Sequence, residues 1–162
     1  MRFSAKAVIV AYIPGVVFSA LEGLWAIAIV DTAAFAIVVA AAYIPRVSFN
    51  VKLATLVGAA LLVGAVVLLG TGPLGAGYIW FMVAVVMSAL FGKRLVVTLT
   101  ISLSMAFMLA WSIALALGAE GYGATPATVL IISASLLIAC LMLAIVTRRL
   151  LDVLAKALSE RE

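Results

Sequence analysis

An acid embedded in an apolar run is the strongest chemical signal in this sequence. Asp31 sits between Ala26-Ile27-Ala28-Ile29-Val30 and Thr32-Ala33-Ala34-Phe35. Counted from Trp25 as the start of a helix, it lies about 9 Å along the axis. A charge at that depth in an apolar medium is expensive and calls for a partner. The flanking cations in the chain, Lys6 and Arg46, are distant in sequence. Asp31 must therefore be protonated, hydrogen-bonded to Ser, Thr or Tyr groups, or open to water. With Glu22 or Glu120 nearby it could bind a proton or a cation. The plainer alternative makes 22–31 an interfacial loop in which Asp31 is wet.

Other reactive chemistries are missing. The chain has no histidine, which removes His phosphotransfer, bis-His haem and most zinc or copper sites. Its one cysteine, Cys140, can form neither an intramolecular disulfide nor a Cys cluster. In its apolar run it reads as a small buried hydrophobe. No lysine stands mid-span for a Schiff base, and GxSxG, HExxH and P-loop patterns are absent. An intramembrane aspartyl protease needs a second acid at matched depth, which Asp31 lacks. Ser102, Ser104, Ser133 and Ser135 have no His base and read as packing hydroxyls. The expectation is no enzyme activity, no cofactor and no metal in these 162 residues.

The elements that hold Asp31 follow from composition. Hydrophobic residues make up 69% of the chain and charged ones 10%, against roughly half and about a quarter in a soluble domain. Ten basic and six acidic side chains cannot cover the surface of a soluble protein this size. An all-α, polytopic membrane protein is expected, with the lipid bilayer as its first partner. The net charge of +4 is too thinly spread for a nucleic-acid groove.

A helix needs about 20 apolar residues to cross the ~30 Å hydrocarbon core. Apolar runs and their breaks give six candidate transmembrane helices, over 6–22, 25–45, 51–70, 76–91, 94–117 and 126–147. Gly70-Thr71-Gly72-Pro73-Leu74-Gly75 and the glycine-rich 118–125 carry turn chemistry. Thr125-Pro126 reads as an N-cap followed by Pro at the first helical position. Pro45-Arg46 closes the second span, and Glu22-Gly23 marks the first junction. Pro14 should kink the first span. The basic start, 1–6, imitates a signal peptide, but no cleavage site precedes Glu22.

With both termini cytoplasmic, this layout puts Arg2, Lys6, Arg46, Lys52, Lys93, Arg94, Arg148, Arg149, Lys156 and Arg161 on the cytoplasmic side. Glu22 and Glu120 fall outside. The positive-inside rule is then obeyed without exception, and a five- or seven-span layout would break it.

Small residues let helix backbones approach in lipid. Ser102, Ala106, Ala110, Ala114 and Gly118 recur every fourth residue of the fifth span. Packing inside the bundle is the expected use, and docking of a partner helix or second protomer is the alternative. Shorter runs are Thr32-Ala36-Ala40, Ala60-Gly64 and Ser135-Ala139. Trp25, Trp80, Trp111, Tyr78 and Tyr122 fall toward the outer ends of their spans, where interfacial anchoring explains them. The alternative is an aromatic pocket open to the outer leaflet. Met82, Met87, Met105 and Met108 read as adaptable filler.

Residues 148–162 form a second segment after a six-helix domain over 1–147. Arg148-Arg149 marks the membrane exit. Helix formers follow, with Leu151, Leu154 and Leu158 at the 3-4 spacing of an a/d seam. A helix continuing from the bilayer into the cytosol is expected; the alternative lies flat on the anionic inner leaflet. The sequence ends on this helical pattern without a stop signal, which suggests a piece of a longer protein.

Several of these features together resemble the multi-span N-terminal sensor regions of bacterial signalling proteins, those placed ahead of PAS, histidine kinase or diguanylate cyclase modules. They are the basic loop Arg46 to Lys52, the loop Gly70 to Gly77, the short fourth span, the turn Phe91-Gly92-Lys93-Arg94 and the charged exit helix from Arg148. The resemblance covers about 25–162. It implies a bacterial inner-membrane sensory domain, homodimeric through exit helices paired near Leu151, Leu154 and Leu158. The resemblance names no ligand; the expected stimulus is a small lipophilic molecule entering near Trp25, Trp80 and Trp111, or a membrane property, and the signal would pass to a C-terminal output domain. It carries over no kinase or cyclase residues. The competing expectation is a vitamin-type small-solute transport component that docks a partner through Ser102 to Gly118, or a membrane scaffold.

Overall fold

The computed structural model describes residues 13–72, 75–119 and 124–160, and they are all-helical, with no strand among them. Six helices follow in order: α1 (13–21), α2 (Trp25–Tyr43), α3 (Phe49–Thr71), α4 (Gly77–Phe91), α5 (Arg94–Ala116) and α6 (Pro126–Ser159). Four of them, α2, α3, α5 and α6, are long and apolar enough to cross a membrane. The fourth expected span is a helix of 15 residues, about 22 Å long, shorter than the ~30 Å core. The kink expected at Pro14 turns on residues before 13 and lies outside the described ones.

The breaks are set by backbone chemistry. Gly23 has φ 74°, and Leu24 N donates to Ser19 O while Gly23 N donates to Ala20 O. This is a Schellman stop, which satisfies the last carbonyls of α1 and needs the left-handed conformation that glycine tolerates. α5 ends in the same way: Gly118 has φ 95°, Ala119 N donates to Ala114 O and Gly118 N to Leu115 O. Ser48 caps α3 by accepting from Val51 N, and Thr125 caps α6 by accepting from Thr128 N at 3.1 Å.

α4 is the hub, in contact with α3, α5 and α6; α5 packs on α6, and α2 packs on α3. The backbones of α3 and α4 meet at two glycines. A Cβ added to Gly77 would stand 2.6 Å from Leu68 N and 2.7 Å from Gly64 O. That spacing leaves room for no side chain, so the Ala60-Gly64 run is a packing surface as expected. The main core gathers Leu68, Phe81, Val85, Met108, Trp111, Val129, Leu136 and Cys140. Ser88, Thr100 and Ser104 are buried with them, each donating to a carbonyl one turn back on its own helix.

Two expectations are corrected. Ser102, Ala106 and Ala110 are exposed and do not pack inside the bundle. α5 turns Val97, Thr100, Ser104, Met108, Trp111 and Leu115 inward instead. Gly118, at the end of the same run, is a helix stop and not a packing position. Trp111 is 6% exposed within the core, so it is no interfacial anchor; it shares a helix face with Met108 and Leu115. The second span begins at Trp25 as expected and contains Asp31, which sets aside the alternative of a loop over 22–31.

One end of the bundle collects basic groups. Lys52 Nζ donates to Ala42 O, closing the end of α2. Phe49 meets Phe91 edge to face with centroids 6.4 Å apart, joining the start of α3 to the end of α4. Arg148 Nη2 donates to Gly92 O at 3.0 Å, joining the α4–α5 turn to α6. Arg46, Lys52, Lys93, Arg94 and Arg148 therefore share that end.

Candidate functional site

A groove of about 400 Å³ runs between α4 and α6, within the usual size of small-molecule sites. Tyr78 and Met82 line it from α4; Ile131, Ile132, Ser135, Leu136 and Ala139 line it from α6. The recess has a local cause. Ser135 and Ala139 stand one turn apart on α6, where larger side chains would fill the space beside Met82. Ser135 donates its hydroxyl to Ile131 O at 3.1 Å, which leaves the wall mostly apolar. Tyr78 is the second residue of α4 and half-buried, so its phenol brings a polar group to the end remote from Arg148. The chemistry suits an elongated apolar molecule with one hydrogen-bonding group.

The residues expected to bind a ligand do not converge on one place. Tyr78 lines the groove. Trp80 lies two residues away on α4, at the edge of exposure. Trp111 is core, Trp25 is 63% exposed at the first residue of α2, and Glu22 is exposed in the α1–α2 turn. Glu120 and Tyr122 lie outside the described residues. Sequence reasoning marked Met82, Ser135 and Ala139 only as packing groups. The pairing of α4 with α6 is what brings them into one groove, and no local pattern carries that pairing.

Asp31 stands apart from the groove, on the helix that packs against α3. Its Oδ1 is buried and has no hydrogen-bond partner among the described residues. The neighbouring Thr32 hydroxyl donates to Ala28 O at 2.7 Å. None of the Ser, Thr or Tyr partners expected for that oxygen is in place, and no group of His, Cys, Asp or Glu fit to hold a metal occurs among the described residues.

The exit segment is the continuation of α6. The helix runs unbroken for 34 residues, about 51 Å at ~1.5 Å per residue, well beyond the ~30 Å core. Arg148 is half-buried against Gly92, while Arg149, Leu151, Leu154 and Leu158 are exposed. One arc of this segment holds Leu150, Leu151, Val153, Leu154 and Leu158. The other carries Arg149, Asp152, Lys156 and Glu160, with Lys156 and Glu160 paired at 4.0 Å.

No curated protein and no solved structure matches this chain. A family model does: MASE11 matches residues 2–154, which takes in every helix described above and the exit segment through Leu154. A bundle of apolar helices, the last of them running on past its neighbours, agrees with that match, and the chain belongs to the MASE11 family of membrane-associated, sensor-type domains.

Proposed function

We propose that this chain is the sensory and signal-transmitting membrane domain of a bacterial signalling protein of histidine kinase or cyclase type. It sits in the inner membrane with six spans and both termini in the cytoplasm. One observation carries the reading: the groove is walled by α6, the same helix that continues past Arg148 as an exposed segment. A small lipophilic ligand in the groove changes how α6 sits on α4. The two packings of that pair are the two signalling states, and the ligand shifts the population between them by binding one better. The exit segments of two protomers pair through Leu151, Leu154 and Leu158 and hand the change to a C-terminal output domain. The chain itself performs no catalysis.

The arrangement of charge supports the orientation. The basic end of the bundle is the cytoplasmic end under the positive-inside rule, and the exit segment leaves from that end. The short α4 is accommodated because its neighbours α3, α5 and α6 surround it.

The test is a fusion of the chain to a kinase core. Ala139→Phe, which fills the groove, should lock the output in one state, and Leu154→Asp should uncouple it. Output that ignores both substitutions would sink the proposal. A second reading, a solute-transport component or scaffold docked to a partner, draws on the exposed run Ser102, Ala106 and Ala110. Tight binding of a vitamin by the purified chain would favour it.

A further inference from the structure

The basic end of the bundle holds a feature that the sensory reading does not use. Arg148 donates from Nη2 to Gly92 O across 56 positions of sequence. That bond sets the guanidinium beside the α4–α5 turn, whose next two residues are Lys93 and Arg94. The turn is stiff. Gly92 N donates to Ser88 O at 2.8 Å, and a Cβ on Gly92 would stand 2.6 Å from that oxygen. Three cations from two distant segments are thus gathered at one spot, although like charges repel. Among the described residues no carboxylate pairs with any of them; the ion pair formed there is Lys156–Glu160, farther along the exit segment.

The depth is also specific. α5 is long and apolar enough to cross a membrane and begins at Arg94, so on the six-span reading proposed above the turn lies where hydrocarbon gives way to headgroups. Next to the cations, Leu95 and Leu99 are 68% and 59% exposed on the first turns of α5. These leucines lie on the face of α5 turned away from Val97, Thr100 and Ser104, toward lipid, and the cations stand at the end of the helix. Arg148 spends one donor on Gly92 and keeps the rest of its planar fork, which matches phosphate oxygens. Basic recesses between membrane helices recognise anionic headgroups through this combination.

We propose that Lys93, Arg94 and Arg148 bind the phosphate of an anionic phospholipid. The bound headgroup bridges the α4–α5 turn to α6 and relieves the repulsion among the three cations. The site does not depend on what the groove binds.

Native mass spectrometry of the full chain in neutral detergent, titrated with phosphatidylglycerol or phosphatidylcholine, tests this. Phosphatidylglycerol should bind about tenfold more tightly than phosphatidylcholine, as expected for a few cations near one headgroup. Lys93→Gln with Arg94→Gln should abolish the preference. Arg46→Gln with Lys156→Gln removes equal charge elsewhere and should leave it intact. All four positions are exposed, so folding is not at stake. Arg148→Lys keeps the charge but loses the fork, and should weaken binding several-fold. Equal loss in the two double variants would overturn the site in favour of diffuse surface charge. Lack of preference for phosphatidylglycerol would overturn it outright. Displacement of the lipid by millimolar inorganic phosphate would show a free-anion site and overturn the headgroup assignment.

Discussion

Two runs of small residues at four-residue spacing meet opposite fates in this protein. On α3, Ala60 and Gly64 are buried against α4 at the place where Gly77 brings the two backbones together. On α5, Ser102, Ala106 and Ala110 face outward. The first run works because α4 answers it with a glycine of its own, so both surfaces are flat at the crossing. The second meets no answering surface among the described residues. A smooth stripe is thus only half of a helix contact, and its complement decides whether the contact forms.

The contrast can be broken by substitution. Gly77→Ala should have the largest effect, because its Cβ would collide with backbone atoms of α3 that cannot swing away. A loss of ~3 kcal/mol is expected, at the upper end for overpacking, read as a lower unfolding midpoint in detergent. Gly118→Ala should cost less, about 1–2 kcal/mol, for forcing a left-handed residue. It tests the claim that Gly118 stops a helix and packs against nothing. Ala106→Leu should change the stability of the protomer least, within ~0.5 kcal/mol, as at an open surface position. If a second copy or another partner answers the α5 stripe, Ala106→Leu should still lower association, measured by sedimentation at fixed detergent. A large loss of protomer stability from Ala106→Leu would mean the stripe is buried after all.

Most element boundaries were legible in the sequence, because turn chemistry interrupts the apolar runs. Gly23, Ser48, Gly72, Gly92, Gly118 and Thr125 all stand at helix ends. Facing was not legible. These helices are apolar on all sides, so no polar stripe marks which side meets lipid and which meets protein. That is why the α5 stripe was expected inside, and why Trp111, at the outer end of its helix, was expected at the interface. Of the candidate ligand residues, Tyr78, named for its type and position, is one that lines the groove. Its groove partners on α6 were not, since their role depends on the α4–α6 pairing. Asp31 was visible from sequence as a charge without a partner, and its buried Oδ1 still lacks one among the described residues.

The unbroken length of α6 has a mechanical consequence. No Gly or Pro follows Pro126 within the helix, so it behaves as a rod. Arg148 fastens it to the α4–α5 turn at one point along that rod. From there to Ser135 in the groove is roughly 20 Å, and from there to Ser159 roughly 16 Å, at ~1.5 Å per residue. The two arms of this seesaw are nearly equal. A tilt that moves the groove wall by an ångström moves the far tip by almost as much, in the opposite direction. If α6 relays a signal as proposed, such a tilt reaches the tip with little gain or loss and with its sign reversed, so a molecule that wedges α6 away from α4 at one end would swing the tip inward at the other.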